Sequence, residues 1–126
     1  MTQTSSNDRD ENAIDVVHHF GGGVYAKEAT IRAGSILVQH RHTYDHLSIL
    51  ASGRALLEVD GDRRELVGPT CVEIKAGKHH AIRALTDAVW FCIHATDETD
   101  PKSADRSLIE TPDTNQMLDM ARSIAR

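Results

Sequence analysis

From residue 13 to about residue 95 the chain is a succession of short runs in which apolar and polar residues alternate, broken by turn residues every 8–12 positions. That rhythm predicts an all-β sandwich or barrel, because alternation with period two puts one face of each strand in a core and leaves the other in water. Val24–Ala33 and Ser35–His42 flank Gly34, and Leu47–Ala51 ends at the turn Ser52-Gly53. In Ala55–Val59 the positions Ala55, Leu57 and Val59 make a strongly apolar face, and Asp60-Gly61 is a two-residue hairpin signal from which the polar strand Arg63–Leu66 returns. Val72 and Ile74 alternate with Cys71, Glu73 and Lys75 up to Ala76-Gly77; His80, Ile82 and Ala84 then share a face, and Ala88–Ala95 is the last β-like run. Gly21-Gly22-Gly23 reads as a flexible turn between strands.

Both ends of the chain depart from this pattern. Residues 1–12 are polar and charged and are expected to be a disordered leader. Residues 13–98 form the expected barrel, and 99–126 a charged surface connection followed by a helix. In that helix Asp113 is the expected cap, and Met117, Met120, Ala121 and Ile124 fall on one face, which would cover the barrel or a partner subunit.

Length and charge narrow the function. A chain of 126 residues supports a single core. Its 14 basic and 19 acidic residues give a net charge of −5 with no basic cluster, which argues against nucleic acid as a partner. With no apolar stretch of membrane-spanning length and no secretion-type leader, the expectation is a cytoplasmic protein without a membrane partner. Cys71 and Cys92 are too few for a disulfide scaffold and are expected to be reduced.

Eight histidines, against one tryptophan, two tyrosines and two phenylalanines, point to the chemistry. They concentrate in QHRHTYDH (residues 39–46) and AGKHH (residues 76–80). His40 and His42 lie two residues apart on one strand face, about 7 Å between Cα atoms, so their imidazoles can converge on one ion. His46 has the same parity. Of the doublet His79-His80, His80 shares parity with Ile82 and Ala84 and should face inward, while His79 should face out. A lone strand histidine is usually structural, but burying several imidazoles in a small barrel is costly unless their nitrogens find partners, and a metal supplies them. His40, His42, His46 and His80 are therefore the expected ligands of one divalent transition metal ion.

These residues carry a family resemblance. Gly34, His40, His42, His46 and Gly53 resemble the first cupin motif, G-x5-H-x-H-x3-E-x6-G, with His46 in place of the glutamate. Gly68 followed by Lys75-Ala-Gly77-Lys-His-His80 is similar to the second motif, G-x5-P-x-G-x2-H-x3-N. Here Lys75 replaces the proline, one residue is added after Gly68, and Ala84 replaces the asparagine; these departures bear on turn geometry more than on ligation. The resemblance covers about residues 24–95 and is to the small tetra-histidine cupins. It implies a jelly-roll β-barrel, with a short C-terminal helix here, a homodimer, and a metal inside the barrel.

Four neutral imidazoles would leave the full charge on the ion and favour an anionic or enolate-forming small molecule. They suit Mn, Fe, Ni or Zn without choosing among them. On the last strand, either Cys92 and His94 face inward, with His94 a catalytic proton shuttle, or Phe91 and Ile93 do and His94 is a surface residue. Lys27 and Arg32 could steer an anion or be solvated strand charges. Glu58 and Glu73 point outward by parity, leaving no carboxylate base in the barrel. The sequence thus favours a metal-dependent dioxygenase acting on a small oxygenated or aromatic molecule, with a non-redox lyase or isomerase, or a non-catalytic binding module, as alternatives.

Overall fold

The computed structural model describes residues 14–39, 44–95 and 114–125, with backbone alone at 114–118. Among the described residues nine strands follow in chain order: β1 (Ile14–Gly21), β2 (Val24–Ile31), β3 (Ile36–Gln39), β4 (His46–Ser52), β5 (Arg54–Val59), β6 (Asp62–Val67), β7 (Thr70–Ile74), β8 (His80–Ala84) and β9 (Ala88–Ala95). The helix α1 spans Thr114–Ala125. The strands form two antiparallel sheets, one ordered β1-β2-β9-β4-β7 and the other β3-β8-β5-β6. Consecutive strands such as β3 and β4, or β7 and β8, fall in different sheets, so the chain crosses repeatedly between the two layers, as a jelly roll does.

Alternation dictates which side chains fill the space between the sheets. Along β9, Ala88, Trp90, Cys92 and His94 are buried while Val89, Phe91 and Ile93 are partly exposed, and β4 buries His46, Ser48 and Leu50 in the same way. The four-stranded sheet answers with Ala55, Leu57, Ile82 and Ala84. Trp90, fully buried, is the largest side chain of this core. The β9 run was legible as a strand but its inward face was not; Cys92 and His94 point in.

Turn chemistry fixes the register. Asp60 and Gly61 both take positive φ, 46° and 89°, so β5 and β6 pair directly from Val59↔Asp62 to Arg54↔Val67, as a two-residue hairpin requires. Gly53, between β4 and β5, is more constrained. Its φ is 89°, and an added Cβ would lie 2.2 Å from the Asp87 carbonyl oxygen and 2.9 Å from the Ala88 Cα. The turn is packed against the β8–β9 connection, where Arg54 N donates to Thr86 Oγ1 and Leu85 N to the Arg54 carbonyl. Gly53→Ala is therefore expected to cost roughly 2–4 kcal/mol, from the left-handed backbone and the backbone clash together. Chemical denaturation measures it, and a loss below about 0.5 kcal/mol would show that the turn yields freely.

Two residues read as outward by parity are nonetheless buried. His79 was expected to face out, and it is only 6% exposed. Glu58 does lie on the outer face, but its side chain is 3% exposed. Parity assigns a face and not an exposure, and the outer face of the four-stranded sheet is covered. The helix α1 packs on β3 and β8 there, with Ile124 and Ala81 fully buried. Glu58 Oε1 accepts hydrogen bonds from Arg63 Nε at 2.8 Å and from Ser123 Oγ at 3.2 Å, and Arg63 Nη2 donates to the Ser123 carbonyl. The expected leader, the surface connection and the Asp113 cap lie outside the described residues. Among the described residues, no helix is long and apolar enough to cross a membrane.

Candidate metal centre

Histidines of both sheets meet at one end of the barrel. His46 opens β4, and His80 opens β8 in the facing sheet, where it pairs with Gln39 on one side and Val59 on the other. Their ring centroids are 5.5 Å apart. Leu47 pairs with Ile93, so one residue further along the same register His46 comes beside His94, and those rings are 4.6 Å apart. His46, His80 and His94 are at most 5% exposed.

Cys92 lies one inward step deeper on β9, across from Ser48. A ring nitrogen of His46, one of His80 and the Cys92 sulfur lie within 4.8 Å of one another, all buried. The Cys92 thiol donates to Gln39 Oε1 at 3.2 Å, and Ser48 Oγ contacts the sulfur at 3.8 Å. Three borderline or soft donors this close, from three strands of two sheets, suit a transition metal. The donor chemistry therefore fits a divalent ion at this point.

Of the four ligands expected from the sequence, the structure brings His46 and His80 together. His40 and His42, the other two expected ligands, lie outside the described residues. Cys92 was weighed only as a pocket-lining residue; its C-x-H spacing with His94 on an inward strand face was the available signal.

A row of aromatic side chains extends from the histidines toward the sheet edge. Tyr25, 1% exposed, pairs across strands with His94, their rings near-parallel at 6.2 Å. On its other side it stacks on Phe20 at 4.9 Å, and its hydroxyl and Nδ1 of His18 on β1 share a hydrogen bond of 2.7 Å. Tyr25 thereby backs His94 from the side away from His46. No reading of the sequence had singled it out, because its partners are set by the pairing of β2 with β9.

The approach to the histidines is a cleft of about 290 Å3 lined by Tyr44, Asp45, His46, Leu47, Ile93, His94 and Ala95. Asp45 ties its rim to the loop that leads to His80. One carboxylate oxygen accepts the Ala76 N–H at 2.8 Å, and the other lies 3.6 Å from Lys75 Nζ. The Ala76 hydrogen bond, and then the Lys75 charge, hold the Asp45 carboxyl below its ordinary range. Hydrogen-bonded pairing with Glu73, with Asp45 adding charge, raises the Lys75 ammonium above its own.

By sequence the chain matches no protein-family model and no curated protein. By structure it is similar to a cupin 2 domain-containing protein from Halorhodospira halophila, with a TM-score of 0.65 at 18% identity over 94% of this chain and 85% of that one. It is also similar to KdgF from Halomonas sp., with a TM-score of 0.59 at 15% identity over 68% and 82% of the two chains. A third likeness is to salicylate 1,2-dioxygenase from Pseudoaminobacter salicylatoxidans, solved as an adduct with gentisate. There the TM-score is 0.60 at 10% identity over 66% of this chain, which spans 25% of that enzyme. Identities this low speak to fold. The chain has the cupin jelly-roll fold.

Proposed function

We propose that this protein is a metal-dependent enzyme whose single divalent ion is held by His40, His42, His46 and His80. The reading with most support is a dioxygenase acting on a small oxygenated or aromatic molecule. The observation that carries it is the buried meeting of His46 and His80 from opposite sheets, with Cys92 within 4.8 Å, beneath an open cleft. Gln39, which pairs with His80, immediately precedes His40, and this supports counting His40 and His42 with the set.

When bound, the ion supplies Lewis-acid polarisation of a substrate oxygen and, if it is iron or manganese, redox chemistry with dioxygen. The side chains supply the rest. His46 and His80 orient the ligand set from two rigid strands, and the cleft admits a molecule of modest size beside His94. His94 is assigned the proton-carrying role: its ring is buried on the cleft wall, against His46 and backed by Tyr25, which keeps it out of bulk water. The dioxygenase named above among the structural neighbours supports the class, and gentisate in that enzyme exemplifies a small anionic aromatic. A second copy of the chain is the partner we infer, with exposed Val16 and Val17 on the edge strand β1 as the supporting feature.

The test is dioxygen uptake by iron(II)-loaded protein offered enolisable diketones, catechols and styrenes. Uptake matched by cleaved product, and lost in His46→Ala, is the expected result. Tight binding of such compounds without uptake, with iron or any other metal, would replace the enzyme by a binding module.

A further inference from the structure

We infer that the centre is a mixed nitrogen and sulfur site, with the Cys92 thiolate ligating the ion together with His46 and His80. This rests on the metal-centre reading above and goes beyond the all-imidazole set expected from the chain's motifs.

Geometry is the first argument. The Cys92 sulfur is no further from the histidine nitrogens than 4.8 Å, the same limit that holds between those nitrogens. Around an ion in near-tetrahedral geometry, with bonds of about 2.1 Å to nitrogen and 2.3 Å to sulfur, neighbouring donors stand roughly 3.5 Å apart. The three groups must therefore draw together by at most about 1.3 Å, within reach of side-chain rotation on fixed strands.

The surroundings of the sulfur are the second argument. Cys92 is 2% exposed and, unlike the exposed Cys71, it is turned into the barrel. Two polar neighbours of the sulfur, Gln39 and Ser48, suit both of its protonation states. Gln39 accepts the S–H through Oε1, and a half-turn of its amide presents an N–H donor to a thiolate instead. The Ser48 hydroxyl already points a donor at the sulfur. The exchange balances simply: the S–H bond breaks, a metal–sulfur bond forms, and the proton leaves to the buffer. A thiolate among imidazoles shifts preference toward Zn, Co, Ni and Cu and away from Mn and Mg.

The experiment is cobalt(II) titration of the full chain in a Cys71→Ser background, which removes the other thiol. The inference predicts visible d–d bands accompanied by a near-ultraviolet sulfur-to-cobalt charge-transfer band and release of the thiol proton. Adding Cys92→Ser should abolish the charge-transfer band while d–d bands persist, and weaken cobalt affinity at least about tenfold, since even groups that only support a ligand are commonly worth that much. Cys92→Ala serves equally if the serine variant melts early. A cobalt protein with d–d bands but no charge-transfer band, or a band that survives Cys92→Ser, overturns the sulfur ligand and leaves the metal centre standing. A protein that takes up no cobalt overturns both.

Discussion

Replacing Trp90 by alanine is expected to destabilise the fold by about 3–5 kcal/mol, as large-to-small changes of buried aromatics do. Trp90 is completely enclosed at the centre of the core, between β2 and β4, which it pairs through Ala29 and Leu50. At roughly 2–8 °C per kcal/mol, the span covering domains smaller and larger than this one, the melting temperature should fall by at least about 6 °C. Trp90→Phe should cost much less. It keeps most of the apolar volume and deletes an indole N–H that has no hydrogen-bond acceptor among the described residues. A thermal melt of both variants decides it; equal losses would mean that the indole nitrogen and its extra ring matter as much as the filled volume.

The second large effect belongs to the outer face. Arg63→Ala should cost about 2–3 kcal/mol, below the usual range for breaking a fully buried pair because the Arg63 side chain is 36% exposed while Glu58 is 3% exposed. What remains is a buried carboxylate supported by Ser123 Oγ alone among the described residues, and the helix loses a hydrogen bond to its last turn. Glu58→Gln in the Arg63→Ala background should recover part of the loss by removing the uncompensated charge. Urea unfolding of the single and double variants measures this, and a double variant no more stable than Arg63→Ala alone would place the cost in lost packing of the arginine stem.

How much of this was written in the sequence follows from the range of the interactions. The Asp60-Gly61 hairpin was legible because a two-residue turn is set by its own backbone. The inward direction of His80 was legible because alternation carries the apolar positions Ile82 and Ala84 to it. Alternation could not choose a face for Val89–His94, where apolar residues occupy both parities, and that choice depends on pairing with β2 and β4. Nor could it foresee that α1 would pack on the outer face of the four-stranded sheet, bury Ala81 and set Ser123 against Glu58. The approach of Cys92 to His46 and His80 joins residues 12 to 46 positions apart on three strands. It follows from sheet order, which local pattern does not encode.

Protein loaded with zinc, desalted and assayed for metal by elemental analysis should carry about one ion per chain, and His80→Ala, folded by circular dichroism, should retain less than about a tenth of it. A folded wild-type chain that holds no ion, or a His80→Ala chain that holds as much as the wild type, would show that these histidines do not form a metal centre.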